Sequence, residues 1–336
     1  MNILLIGGGG YIGNVVGEFF LKKNYDITII DNFIYKHNPS VTKIKKFSKL
    51  KILEESIIQI DLFEKNLKNY DAIVLLAGLV GDPITKKYPE YSNEINFKSV
   101  QNLIDVILKN QVKKFIFIST CSNYGLIKDN ELATENFKLD PKSLYAKQKV
   151  EAEKYIMKFK KKTDSIVSIL RFATAFGVSE RMRFDLTVNE FVMNLHLGKR
   201  LLVYDPDTWR PYCHVVDFAR LIEIVLNSAN SLINFETFNA GGDFNNCTKR
   251  MLVDKIKDHY ESSKIEFQQK GPDPRNYRVD FSKVKNKLKF IPKYSIEDGI
   301  LEIKDYLNSN TFKNQNQSLD EMGNYTIDSM ILKNIS

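Results

Sequence analysis

The chain has 336 residues, 43% hydrophobic and 27% charged, a balance that excludes a disordered protein and suffices for one large domain or two medium ones. Its net charge of +8 is spread along the whole length, so no basic, aromatic-rich cluster marks a nucleic-acid face, and the one tight run, Lys160–Lys162, reads as the cationic end of a helix. Cys121, Cys213 and Cys247 and the four histidines are too scattered for a disulfide framework or a metal site.

In chain order, "NILLI" (2–6), "DITIID" (26–31), "AIVLL" (72–76), "KFIFIST" (114–120) and "SIVSILRF" (165–172) predict buried strands, being apolar, β-branched and bounded by polar residues or glycine. Helical patterns lie between them, most clearly at 90–109 and 143–161. This alternation predicts a parallel sheet covered on both faces. Beyond residue 172 the pattern loosens into helices near 185–198, 215–228 and 247–260 and a short strand at 235–240. The polar tail predicts a loose extension, in which "YTIDSMILK" is the piece able to dock. "MNILLIGGGG" lacks the basic start of a signal peptide, and the longest apolar stretch, 72–81, is too short for a bilayer. A cytoplasmic protein without a membrane partner is expected.

"LLIGGGGYIGN" sets Gly7, Gly10 and Gly13 directly after the first strand, with a helix starting around Tyr11 and Ile12. Glycine allows the tight turn and the close backbone approach, and the helix N-terminus offers N–H groups and positive potential to a pyrophosphate. The second strand ends at Asp31, a carboxylate able to accept from adenosine ribose hydroxyls. Asp31 repels the extra phosphate of NADP, and Asn32 and Phe33 supply no arginine for it, so NAD is the expected cofactor. Asp61-Leu62 is placed at the adenine edge, although Asp61 also suits a helix N-cap. Ala77 and Gly78 give a small-residue surface for the cofactor to cross, and Leu76, Asn96 and Phe172 are assigned to the same site.

Tyr145 and Lys149 stand four residues apart in "SLYAKQKVEAEKY", on one helix face. A phenol with a pKa near ~10 is a poor base at neutral pH, and a nearby ammonium favours its phenolate. Lys149 is expected to do this and to bond the nicotinamide ribose. Thr120 ends the fifth strand, where its hydroxyl can orient a substrate alcohol or relay its proton.

With these motifs, together with "FISTCSNYG" (117–125) and "RPYCHVVDFA" (210–219), the sequence resembles the extended short-chain dehydrogenase/reductases, the NAD-dependent epimerase/dehydratase family, over about residues 1–305. The resemblance implies a doubly wound α/β Rossmann domain, a smaller α+β nucleotide-sugar-binding domain, and a homodimer. The expected division is 1–172 with 213–240 returning to it, then 173–212 with 241–310, and 311–336 as a C-terminal extension. It also implies that Tyr145 takes a proton from a sugar hydroxyl while hydride passes to the nicotinamide.

Members that dehydrate sugars carry Asp-Glu after the catalytic Thr, where this chain has Cys121 and Ser122, which disfavours a 4,6-dehydratase. Cys121 is either an acid/base for carbon epimerisation or a small buried thiol. Oxidation at one hydroxyl, position 4, remains, as a 4-dehydrogenase, a 4-epimerase or, in reverse, a ketoreductase. A non-catalytic NAD-binding regulator on the same fold is the alternative, and it would not need the Tyr–Lys pair. By the resemblance, Arg210 and Arg275 hold a nucleotide diphosphate, Asn189 contacts the nucleotide sugar, and Thr174 replaces a common family asparagine. "LVGDP" (79–83) and "LRFATAFGVSERMRFDLTVNEF" (170–191) resemble a narrower group of surface-polysaccharide enzymes that includes oxidoreductases of GDP-linked heptoses.

Overall fold

The computed structural model describes residues 1–35, 41–62, 64–128, 131–260, 264–269, 275–313 and 322–327. Strands β1 (Asn2–Ile6), β2 (Asp26–Ile30), β3 (Leu50–Leu53), β4 (Ala72–Leu75), β5 (Lys114–Thr120) and β6 (Ile166–Phe172) come first along the chain. The short β7 (Thr174–Phe176), β8 (Leu201–Tyr204) and β9 (Trp209–His214) follow, then β10 (Glu236–Ala240), β11 (Asn246–Thr248) and β12 (Ile265–Gln268). The main sheet has the order β10-β6-β5-β4-β1-β2-β3, and every pairing in it is parallel.

Helices on both faces explain why the inner strands are apolar at successive positions. Leu4, Ile6, Ile73, Leu75 and Phe117 belong to one apolar cluster, and Ile3, Leu5, Val74 and Ile116 to the other, as the two-residue side-chain period requires. Helices Tyr11–Lys22 and Val215–Asn227 pack together on one side, where Phe218 stacks on Phe172 at 3.8 Å. Helices Val100–Lys109 and Leu144–Met157 bury Leu103, Ile104, Ala152 and Ile156 on the other.

The strand order reverses between β1 and β4, which opens a crevice at their carboxyl ends. The register sets those ends level, with Ile6 opposite Leu75 and Thr120 opposite Phe172. The loops that carry Gly7, Asp31, Ala77 and Thr120 therefore open on one side of the sheet.

Three features differ from the sequence expectations. The helix expected at 90–109 is interrupted: Pro89–Asn93 and Val100–Lys109 flank a π turn at Glu94–Ser99. Strands β7, β8, β9, β11 and β12 have three to six residues and pair with distant partners in two small sheets, so local periodicity did not mark them. The tail is not loose where it is described: Met322 is 3% and Ile327 6% exposed, each inside an apolar cluster. Most of "YTIDSMILK" lies outside the described residues. Among the described residues, no helix is long and apolar enough to cross a membrane.

Candidate active site

The crevice holds a cavity of about 360 Å³, within the range of about 300–1,000 Å³ of small-molecule sites.

One end is built on glycine. Gly7 has φ +86°, and a Cβ there would lie 2.4 Å from the Ala77 nitrogen, so β1 and β4 diverge this closely only around glycine. A Cβ on Gly13 would meet the Gly7 oxygen at 2.5 Å, which lets the helix Tyr11–Lys22 start directly over the loop. Its N-cap, Gly10, supplies no side-chain acceptor, and Tyr11, Ile12 and Gly13 line the cavity. Asp31 braces the loop by accepting from the backbone N–H of Gly9 (2.9 Å) and of Phe33 (2.8 Å), and with Asn32 it reaches the cavity wall. A glycine cradle, an uncapped helix N-terminus and a carboxylate at the strand end suit a dinucleotide pyrophosphate and its adenosine ribose. Leu76, Ala77, Gly78 and Phe172 continue this wall.

At the crevice centre, β5 delivers Thr120, and helix Leu144–Met157 delivers Tyr145 and Lys149. Ser143 caps that helix by accepting from the Ala146 N–H, so the helix begins just before Tyr145 and presents it to the cavity. Thr120 Oγ1 accepts from the Ser122 N–H at 3.1 Å, which leaves the hydroxyl proton for donation into the cavity. Lys149 is 6% exposed, and its amine donates to the Ile118 carbonyl at 2.8 Å and lies 5.9 Å from the Tyr145 ring centroid.

The electrostatics depart from the expectation that the lysine makes the phenol acidic. Burial pulls the Lys149 pKa down to about 8, against the opposing pull of Glu153. The Tyr145 phenol is pushed above its ordinary value, again by burial, and the cation that works the other way is Arg183. Desolvation outweighs the pull of Arg183 on the phenol.

A buried polar network fixes this geometry. Glu153 Oε2 accepts from Arg171 Nη2 at 2.6 Å, and Glu153 Oε1 accepts from Asn123 Nδ2 at 2.9 Å and from the Ser119 hydroxyl. Arg171 also donates to the Tyr124 hydroxyl (2.9 Å), which in turn donates to Asn239 Oδ1 (2.6 Å). One ion pair thus ties β5, β6, β10 and the Tyr145 helix together directly behind Thr120.

The far wall carries charge. Arg275 pairs with Asp82 at 2.9 Å, Arg210 donates to the Trp209 carbonyl at 2.8 Å, and both line the cavity with Ser122 and Thr174. Ser122 Oγ also lies 3.2 Å from the Tyr277 hydroxyl.

Three assigned residues are not brought to the cavity surface. The Cys121 thiol is 1% exposed and donates to the Arg171 carbonyl, and burial raises its pKa, so it faces the core as an inert thiol. Asn189 is fully buried: it accepts from the Gly177 N–H and donates to the Tyr11 hydroxyl and the Arg183 carbonyl, which makes it a brace between elements. Asn96, in the π turn, clamps the Leu79 backbone from behind, accepting its N–H (2.7 Å) and donating to its carbonyl (2.9 Å). It shapes the Gly78–Leu79 wall without lining it. Asp61 and Leu62 fall in the 3₁₀ turn Ile57–Leu62, and their side chains lie outside the described residues. Glu55, Ser56 and Ile57 line that edge of the cavity.

The sequence reading missed Arg181, Arg183, Asp185 and Asn324, all of which line the cavity. Arg183 forms a bidentate pair with Asp185, at 3.0 and 2.6 Å. Its signal was legible: two arginines and an aspartate alternate within "RMRFD", a segment otherwise apolar enough to be buried. Asn324 had no signal, since only the fold brings the tail here.

The model of the family described as NAD dependent epimerase/dehydratase matches residues 3–241. A Bacillus subtilis protein described as an uncharacterized UDP-glucose epimerase is 29% identical to the chain, covering 92% of the chain and 98% of the relative. The UDP-glucuronic acid 4-epimerase of Bacillus cereus, solved with UDP-glucuronic acid and NAD, superimposes with a TM-score of 0.83 at 25% identity, covering 92% and 99% of the two chains. The dTDP-glucose 4,6-dehydratase of Bacillus anthracis, solved with NAD, gives 0.81 at 26% identity and covers 93% and 98%.

Proposed function

The chain belongs to the NAD dependent epimerase/dehydratase family, and from that premise we propose that it is an NAD-dependent oxidoreductase of nucleotide-diphosphate sugars, acting at the position-4 hydroxyl as a 4-epimerase or 4-dehydrogenase in surface-polysaccharide assembly. The observation that carries this reading is the placement of Thr120, Tyr145 and Lys149 in one cavity, between a glycine-built dinucleotide wall and an arginine-bearing wall.

NAD, when bound, supplies the hydride acceptor and a positively charged ring. Tyr145 takes the proton of the sugar hydroxyl. Thr120, whose oxygen is already held by the Ser122 N–H, donates to the same sugar oxygen and sets its orientation. Arg183 favours the phenolate by charge, and Lys149 holds the Ile118 carbonyl while its remaining N–H groups serve the cofactor ribose. Arg210 and Arg275 neutralise the sugar diphosphate. Dehydration is disfavoured, because Cys121 is turned into the core and Ser122 bears no acid. The relatives named for UDP-sugars favour a uridine nucleotide over the GDP-linked heptose of the sequence reading.

The test incubates purified protein with NAD and UDP-, dTDP- and GDP-sugars and follows sugar products by NMR together with absorbance of reduced cofactor. A 4-epimer without net reduced cofactor identifies the epimerase, and a 4-keto sugar with reduced cofactor identifies the dehydrogenase. Tyr145→Phe is expected to abolish turnover while leaving NAD affinity within about threefold. A Tyr145→Phe enzyme that still turns over removes the assigned role, and NAD binding without conversion of any sugar removes the function.

A further inference from the structure

The C-terminal segment Met322–Ile327 reaches the cavity lining at Asn324 and bonds to two segments of its wall, around Arg181 and around Val80. On one side, the Phe184 N–H donates to the Met322 carbonyl at 2.7 Å, and Arg181 Nη2 donates to the Gly323 carbonyl at 3.1 Å. On the other, Asn324 Nδ2 donates to the Val80 carbonyl at 2.8 Å, and Lys87 donates to the Tyr325 carbonyl at 3.3 Å. Met322 is buried in the apolar cluster that contains Phe184, and Ile327 in the one that contains Leu79 and Ile84. Asn324 itself lines the cavity and is 6% exposed. Two buried anchors and bonds to both wall segments distinguish this docking from a tail resting on a surface.

The partner of the segment, Arg181, is a second independent observation. Arg181 is 4% exposed and lines the cavity, its guanidinium 4.9 Å from the Tyr35 ring centroid. Among the described residues, no carboxylate forms a direct ion pair with it: Asp185 pairs with Arg183 and, like Asp31, acts on Arg181 only from farther away. A buried cation whose neighbouring carboxylate is shared with a second arginine is undercompensated, and a cavity-lining one is matched by an anionic ligand. The loop that carries Arg181 is hooked to the first residue of the glycine-loop helix, with Ser179 Oγ donating to the Tyr11 carbonyl at 2.8 Å and the Tyr11 hydroxyl donating to the Gly177 carbonyl at 2.6 Å. Arg181 therefore stands at the dinucleotide end of the cavity, near the helix N-terminus suited to a diphosphate.

We propose that Met322–Ile327 is a strap that retains the dinucleotide, and that Arg181, held by the Gly323 carbonyl, is the positioning cation for its diphosphate. This rests on the NAD reading above and deepens it. With the strap docked, the bound dinucleotide is enclosed by the glycine wall, the Arg181–Asp185 loop and Asn324, so it leaves only when the strap detaches. The limiting step for loss of the cofactor is then opening of the strap.

The test measures NADH release by stopped-flow fluorescence during a chase with excess NAD, using the full chain, Arg181→Gln, Asn324→Leu and a chain ending at Lys313. The point variants keep the buried Met322 and Ile327 anchors, so they address the strap even where truncation lowers stability. Release is expected to be about tenfold faster in each point variant, the loss of one charge-assisted or buried hydrogen bond, and faster still in the truncated chain. Hydrogen exchange of the amides in Met322–Ile327 is expected to slow when NAD is added to the full chain. Wild-type release rates in Arg181→Gln and Asn324→Leu, or exchange in this segment unchanged by NAD, overturn the strap. Failure of the full chain to bind NADH at all is a different result, which overturns the cofactor reading itself.

Discussion

Replacing Lys149 by methionine separates what the site needs for chemistry from what the fold needs for stability. Lys149 is 6% exposed, and its amine donates to the Ile118 carbonyl and sits 4.7 Å from the Phe117 ring centroid. Burial lowers its pKa from 10.5 to about 8, and at about 1.36 kcal/mol per pH unit, keeping it charged at pH 7 costs the folded state about 3 kcal/mol. Methionine has similar length and no charge, and the lost hydrogen bond returns about 1 kcal/mol of that gain. Lys149→Met is therefore expected to be more stable than wild type by about 2 kcal/mol at pH 7, a rise of roughly 0.5–1 M in urea midpoint, while turnover falls to background. The sign with pH follows from linkage. Between pH 8 and 10.5 the unfolded chain binds the proton and the folded chain does not, so wild-type stability rises with pH across that window. The cost is present in full below about pH 8 and is gone above 10.5. Urea unfolding at pH 7 and pH 9.5 should accordingly show the advantage of the variant shrinking at the higher pH. A variant less stable than wild type at pH 7, or a difference that does not change with pH, refutes the reasoning.

Two further substitutions address the surroundings of the site. Glu153→Gln leaves Arg171 buried without its counter-charge and is expected to cost about 3–5 kcal/mol in denaturant unfolding. Because Glu153 also holds Ser119, beside Thr120, kcat should fall more than KM rises. Cys121→Ser keeps a small donor for the Arg171 carbonyl and should retain kcat within about threefold, whereas a catalytic thiol would lose at least about a hundredfold.

Most strands of the main sheet were legible because each is a continuous apolar segment flanked by polar residues or glycine, a pattern imposed by helices on both faces; the half-exposed β3 (Leu50–Leu53) and the strand order were not. The glycine loop was legible for a related reason: Gly7 and Gly13 stand where a Cβ would strike backbone at 2.4 and 2.5 Å, so the residue type records the tertiary approach. Spacing alone placed Tyr145 and Lys149 on one helix face. Spacing could not report their electrostatics, because the balance between desolvation and neighbouring charge depends on how much protein surrounds each group. Nor could it tell a lining side chain from a bracing one: Cys121 follows Thr120 directly and Asn96 follows Ile95, yet in each pair one residue meets the cavity and the next faces away.

Local pattern marked most strands of the main sheet, the cofactor loop and the Tyr–Lys helix, since burial on both faces, steric demands written into glycine and helical spacing each leave a trace in neighbouring residues. Only the tertiary structure decided that Arg181 and Arg183 reach the cavity and that Asn324 bonds to Val80 in its wall, residues 244 positions apart.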